Sequence, residues 1–508
     1  MKRKKREKRY GPVLVLMIMI AVVSILSLIL SLIGFESNKY LINNGTIETT
    51  MITVKNILSL DGFKFLIGKT ISNFRTFEPL VLIIISIIGI GICEKSGYLQ
   101  AIFTPFKRIK LVFIIFITIF LGVISSIIGI YSYIFLIPLI ASMYKYLGKN
   151  PIIGVLVVFL GITIGYGTGL IFNYTDYSLA LLTEQAAQAD IDKTFGYTVN
   201  STSYIMLIST LLITFIMTIV VNNLLVPKLT KKYVISDEEQ ELVVDKKAKR
   251  ITFLISILVM LFVIYLILPI NLPGAGILLD KNAPRYISKL FGPNSPFYNG
   301  LILIVMLIFI LCGFIYGNLS GNIKNSHEFS LGLSNGFENL GFMFVLMFFI
   351  CELQAVIEWT NIGSVISSKL IELIGSLQLS GILLIIVVFI AIVFISILLP
   401  GTQEKWVLAS PVIVPLFMQS NMTPNFAQFV FRAADGVGKC LTPVFIYYII
   451  MLAFLEKYRT SDKKQTSIFG VLKDILPVVF IMLIVWILII VLWYVMGIPI
   501  GHNTYPTL

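Results

Sequence analysis

Charge is scarce in this chain. Asp, Glu, Lys and Arg supply only 13% of its 508 residues, against 57% hydrophobic, which excludes an ordinary soluble domain with its charged share of about 25%. Two histidines and four cysteines leave little for metal or disulfide chemistry. Cys93, Cys312, Cys351 and Cys440 lie in or beside apolar runs without ligand spacing, and His327 and His502 have no ligand cluster near them, so neither a metal nor another cofactor is expected. Paired catalytic carboxylates and a nucleophile motif are missing, which argues against an enzyme. The apolar stretches do not alternate as barrel strands do.

What the chain has is Ile, Leu, Val and Phe in continuous runs of about 20 residues, the length a helix needs to cross lipid while satisfying its own backbone. The expected class is an all-α polytopic membrane protein. The net charge of +13 does not point to nucleic acid, because Lys and Arg gather at helix ends and in loops, as cytoplasmic basic residues do. The opening MKRKKREKRY followed by an apolar run to about residue 34 predicts a retained first helix with its N-terminus inside. Further apolar segments fall at roughly 78–100, 109–147, 151–173, 203–226, 251–270, 298–318, 338–358, 381–399, 406–419, 426–455 and 471–498. Residues 56–74 mix Leu58, Phe63 and Ile67 with Asp61, Lys64 and Lys69, the pattern of an amphipathic helix at the interface.

The charged run and the polar loops divide the chain into an N-terminal anchor and interfacial segment (1–76), a first half (77–227), a charged cytoplasmic linker (228–250), connecting helices (251–336), a second half (337–460) and a C-terminal helix with an external tail (461–508). The Pro- and Gly-rich residues 271–295 read as an external loop. Lys324, His327 and Glu328, and later Lys457, Arg459, Lys463 and Lys464, return inside.

Polar residues then interrupt the greasy runs in two matching places. Gly122, Ser125, Ser126, Gly129 and Ser132 break a segment ahead of GYGTGLIFNYTDYSLALLTEQAA, with its polar Asn173, Thr175, Asp176 and Glu184. Pro400, Gly401, Thr402, Gln403, Glu404 and Lys405 break another ahead of RAADGVGKCLTP, with Arg432, Asp435 and Lys439. Charges at membrane depth cost about 3 kcal/mol each on insertion scales, so they persist where a partner, a cavity or a solute requires them. Broken helices in corresponding positions of two halves are the mark of inverted-repeat transporters, whose half-helix ends present partial charges near the midplane. Gly401, Gly436 and Gly438 either ease these breaks or allow close helix packing. Pro443 removes a backbone donor and keeps its helix discontinuous.

The runs IGICEKSGYL (90–99), IPL (137–139), TDYSLALLTEQAA (175–187), IYGNLSGNIKNSHE (315–328), EWTNIG (358–363), KWVLASPVIVP (405–415) and RAADGVGKCLTP (432–443) together resemble the AbgT family of p-aminobenzoyl-glutamate transporters across nearly the whole chain. The resemblance implies a homodimer in the bacterial plasma membrane, with about nine membrane helices and two re-entrant hairpins per protomer. It also implies import of p-aminobenzoyl-glutamate, or export of sulfonamide antimetabolites, driven by a cation gradient. By position it carries functional roles onto Asp176, Trp406, Pro424, Arg432, Asp435 and Pro443.

Each of these roles has a chemistry and a plainer alternative. Arg432 offers a carboxylate two parallel hydrogen bonds, or neutralises Asp435 three residues on. Asp176 and Asp435 titrate or hold a coupling cation. Trp406 stacks on an aminobenzoyl ring, or packs beside the break. Pro424 sits in NMTPN, where proline is expected in any case.

The chain departs from the family pattern where a hard cation would need oxygen ligands: GIYSY at the first tip, Gly169 in place of an asparagine, and Gly436, Val437, Gly438 and Lys439 after Asp435. Sodium coupling is disfavoured. Lys439 is expected to stand as a tethered ammonium, paired with Glu404 across the breaks, which favours proton coupling or uniport. The expected function is secondary active transport of a small organic anion. The alternatives are a carrier of dicarboxylates, amino acids or short peptides and, from another class, a non-transporting scaffold or receptor, against which stands the lack of a soluble sensor domain.

Overall fold

The structure is a computed structural model, and it describes residues 10–43, 45–170, 172–198, 200–232, 244–459 and 466–508. The opening basic run, residues 233–243 of the charged linker, and Lys463 with Lys464 lie outside the described residues. The main helices are α1 (Pro12–Leu32), α2 (Leu60–Arg75), α3 (Glu78–Lys95), α4 (Leu111–Ile124), α5 (Tyr131–Tyr146), α6 (Pro151–Ile164), α7 (Tyr174–Asp190), α8 (Ser203–Val220), α9 (Lys246–Ile267), α10 (Leu301–Ser320), α11 (Gly341–Thr360), α12 (Ile362–Ser376), α13 (Gly381–Leu398), α14 (Thr402–Gln419), α15 (Pro424–Lys439), α16 (Ile446–Lys457) and α17 (Ile468–Met496). Among the described residues nine helical stretches are long and apolar enough to cross a membrane. The protein is an all-α membrane protein with little sheet.

Among the described residues the sheet is one antiparallel hairpin, β1 (Glu36–Asn43) and β2 (Thr46–Thr53), between α1 and α2. The sequence suggested only an anchor and an interfacial segment there. Strand-forming Tyr40, Ile42, Ile47, Thr49 and Thr50 flank an Asn-Gly turn signal, and Gly45 takes φ +78°. The interfacial helix does form, as α2, and it packs on α11. Phe65 stacks on Trp359 at 5.5 Å, Phe74 meets Phe348 at 5.4 Å, and Thr70 donates to Glu352 at 2.8 Å. Its other face exposes Leu60, Phe63, Ile67 and Ile71. Lys246 to Arg250, expected in the linker, form the first turns of α9.

Two helix arrangements repeat. α4 and α5, joined through residues 125–130, both pack on α6, which breaks at residues 165–173 and resumes as α7. Likewise α13 and α14, joined through residues 399–401, both pack on α15, which breaks at residues 440–445 and resumes as α16. The second joint is shorter than expected. Gln403, Glu404 and Lys405 belong to the first turn of α14.

A broken helix in lipid leaves backbone groups that must be satisfied from within the protein. Side chains do this at both breaks. The Ile164 carbonyl accepts from the Trp486 indole at 3.1 Å, Tyr166 from Arg432 at 2.9 Å, and Thr168 from Ser126 at 2.9 Å, while the Gly169 N–H donates to Thr210 at 3.1 Å. In the second half Thr442 donates to the Ile397 carbonyl at 2.8 Å and Gln354 to Val444 at 2.9 Å. Gly436 and Gly438 lie inside α15, not at its break. A Cβ on Gly436 would stand 2.4 Å from the Thr163 carbonyl oxygen, and one on Gly438 2.5 Å from the Ser396 Cβ. Their work is close approach of helices, the packing alternative.

The C-terminal residues fold back onto the joint between α14 and α15. The Thr423 N–H donates to the Pro506 carbonyl at 2.9 Å, its hydroxyl to Tyr505 at 2.8 Å, and the Leu508 N–H to Asn421 at 3.3 Å.

Candidate functional site

The site forms where the two broken helices meet. α15 packs against α6, α7 and the Gly165–Gly167 turn that ends α6. In the first half Asn173 caps α7: its side-chain oxygen accepts the Asp176 N–H at 3.1 Å, and Asp176 Oδ2 accepts the Asn173 N–H at 3.2 Å. This reciprocal pair fixes Asp176 at the helix N-terminus, where the amide dipoles favour an anion. The other carboxylate oxygen, Oδ1, pairs with Arg432 Nη1 from α15. Arg432 Nη2 donates to the Tyr166 carbonyl, and its Nε is buried without a hydrogen-bond partner.

One turn along α15, Asp435 holds two lysines. Lys405 of α14 pairs with Oδ1, and Lys439 of α15 pairs with Oδ2 at 2.8 Å. Ser396 donates to Oδ1 at 3.1 Å and Thr402 to Oδ2 at 2.7 Å. Lys405 also donates to the Pro400 carbonyl at 3.2 Å, and Lys439 bonds to the Thr402 hydroxyl. The Lys439 ammonium stands 4.0 Å from the centre of the Tyr166 ring, so Tyr166 touches both clusters, with its carbonyl on Arg432 and its ring under Lys439. All five charged side chains are buried. Three cations, Arg432, Lys405 and Lys439, face two anions, Asp176 and Asp435, which leaves one positive charge in excess.

Several expected partnerships are replaced. Arg432 does not pair with Asp435; it reaches Asp176 instead. Lys439 does not pair with Glu404, which is exposed. Successive residues on a helix point about 100° apart, so with Lys405 turned to Asp435, Glu404 faces away. Trp406 is fully buried 4.4 Å from Phe431, and its indole N–H donates to Thr183 at 2.9 Å. Pro424 opens α15, and Pro443 lies buried in the break after it.

Sequence reasoning named Thr402 only as part of the break and missed Ser396, Tyr166, Thr183, Gln428 and Tyr197. Gln428 bonds to Thr183 and donates to the Tyr197 hydroxyl at 3.1 Å, extending the Trp406 network. Thr402 carried a signal, as a hydroxyl within the break. Thr183 sits unmarked within the TDYSLALLTEQAA run, and the rest lie in helices or loops with no local pattern that distinguishes them.

Buried charges gathered at paired helix breaks, inside a bundle of apolar spans, define a membrane transport protein. The chain belongs to the AbgT putative transporter family, whose model matches residues 7–508. It is 26% identical over 500 residues to the p-aminobenzoyl-glutamate transport protein of Escherichia coli (strain K12), an alignment covering 98% of this chain and 94% of that protein. Among solved structures it is similar to the YdaH transporter of Alcanivorax borkumensis, at 25% identity and a TM-score of 0.49, covering 97% of this chain and 100% of that one. It is also similar to MtrF of Neisseria gonorrhoeae, reported within a class of antimetabolite efflux pumps, at 25% identity and a TM-score of 0.49, covering 98% of each chain.

Proposed function

We propose that this protein is a secondary active carrier of a small organic anion carrying a carboxylate, of the p-aminobenzoyl-glutamate or sulfonamide antimetabolite kind. The observation that carries the reading is the single excess positive charge buried between the two broken helices, with Arg432 Nε unpartnered beside it. An isolated buried charge is costly, and an arriving carboxylate removes the imbalance while satisfying the guanidinium edge. A scaffold has no use for such a cluster. Coupling to protons is part of the reading, with Asp176 as the buried acid that a proton neutralises when Arg432 turns to the solute, and alternating access moves the broken-helix elements against the rest. The carrier works as a homodimer in the bacterial plasma membrane, with its N-terminus in the cytoplasm and its C-terminus outside.

One observation favours a second reading. The Trp406 indole is closed onto Phe431 and its N–H is committed to Thr183, so aromatic stacking is not on offer in this conformation, which favours dicarboxylates, amino acids or short peptides. A thermal-shift screen separates the two. p-Aminobenzoyl-glutamate, sulfonamides, dicarboxylates and short peptides are each added to purified protein at two pH values. Stabilisation by the aminobenzoyl compound supports the first reading, stabilisation by dicarboxylates or peptides alone supports the second, and no response to any anion defeats both.

A further inference from the structure

We propose that Lys405 and Lys439 are the carrier's own built-in cations, filling an oxygen cage that would otherwise hold a hard metal ion such as sodium. The inference rests on the carrier reading above, and it adds what occupies the cation position. Beside the two carboxylate oxygens of Asp435 on α15 stand the Ser396 and Thr402 hydroxyls and the Pro400 carbonyl, contributed by the end of α13, the start of α14 and the joint between them. Carboxylate, hydroxyl and carbonyl oxygens are the ligands that hard cations select.

Here the ligands are already engaged. The Lys439 ammonium lies 2.8 Å from Asp435 Oδ2 and also bonds to Thr402, while Lys405 takes Oδ1 and the Pro400 carbonyl. The two ammoniums arrive from different helices and neither is exposed to solvent. A metal ion entering this cage meets two like charges at contact range, in a buried site that screens them poorly. Two lysines on one buried carboxylate also exceed what neutralising Asp435 requires, so a structural counter-ion role accounts for only one of them. The second stands in the place of a mobile charge.

Removing one lysine then changes the chemistry of the cage. Lys439→Ala frees Oδ2 and the Thr402 oxygen while Lys405 stays, and a sodium ion in the gap restores the original charge count. The experiment is thermal unfolding of the purified full-length protein in NaCl against N-methylglucamine chloride at equal ionic strength, with no solute added, so that an error about the transported anion leaves the result intact. The wild type is expected to melt at the same temperature in both salts, and Lys439→Ala to show a saturable, sodium-specific rise. Lys405→Ala, which frees Oδ1 and the Pro400 carbonyl, is expected to show a similar rise and serves if the first variant does not fold. A sodium-specific, saturable stabilisation of the wild type overturns the proposal, as do folded single-lysine variants that ignore sodium. Lys439→Gln, which removes the charge but keeps a polar side chain of similar reach, is read in the same way should neither alanine variant fold, and its indifference to sodium overturns the proposal equally.

Discussion

Arg432 and Asp176 lie 256 positions apart in the chain and close on one another as a buried ion pair between the two broken helices. The pair holds α15 against the N-terminus of α7. It also presents Arg432 to Tyr166, whose ring carries Lys439. A movement of one half against the other must break this contact or carry it along whole.

Removing one partner leaves an uncompensated charge in a buried site, at about 3–5 kcal/mol, whereas removing both is far less costly. Asp176→Asn and Arg432→Gln are each expected to lower the melting temperature sharply, and the double variant to recover most of the loss. Melting curves of the four proteins in detergent give the coupling. Additive losses would mean that the pair carries no energy.

Gly436→Ala forces a methyl group against the Thr163 carbonyl, at 2.4 Å in the present packing. Overpacking of this kind costs about 1–3 kcal/mol. Gly68→Ala is the control: it lies in α2 with nothing within 4 Å of the added carbon, and replacing an open helical glycine by alanine gains up to about 1 kcal/mol. The two substitutions should shift the melting temperature in opposite directions.

Trp406→Phe keeps a ring against Phe431 and loses the indole N–H donated to Thr183. The expected cost is about 1 kcal/mol. Thr183→Val removes the same bond from the other end, so the double variant should fall short of the sum of the two single losses. Full additivity would place the Trp406 contribution in packing alone.

Removing residues 501–508 takes away the carbonyls of Tyr505 and Pro506 that hold Thr423. The α14–α15 joint should then be cut by protease at lower concentration than in the intact protein. Unchanged cleavage would show that the joint holds itself.

The breaks were legible in the sequence because polar and glycine residues weaken a lipid-spanning run and are seldom tolerated inside one without a purpose, and the apolar spans were legible from length alone. Pairing was not. Spacing along one helix offered Arg432 to Asp435, yet a guanidinium on a long stem reaches a carboxylate contributed by the other half, and no local pattern encodes a contact across 256 positions. Glu404 misled for a related reason: its neighbour Lys405 took the one direction that faces Asp435. The β-hairpin has its own signal in the Asn-Gly pair and β-branched flanks, but that signal is short and lies between an anchor helix and an amphipathic helix whose membrane-directed patterns are longer. Tyr166 acts through a carbonyl exposed by a broken helix, Ser396 through a hydroxyl aimed at Asp435, and the C-terminal residues through carbonyls that meet Thr423, contacts that become visible only once the elements are placed in space.

Arg432, within a cluster carrying one excess positive charge, is held to recognise the carboxylate of a transported anion, and everything proposed about transport depends on it. Counterflow of radiolabelled p-aminobenzoyl-glutamate in proteoliposomes tests this most directly when wild type is compared with Arg432→Lys, which keeps the charge opposite Asp176 but loses the planar fork. Accumulation is predicted for the wild type, with a drop of at least about tenfold in the folded variant, the size of losing one charged hydrogen bond of about 1.5 kcal/mol. Equal counterflow by the two proteins would contradict it.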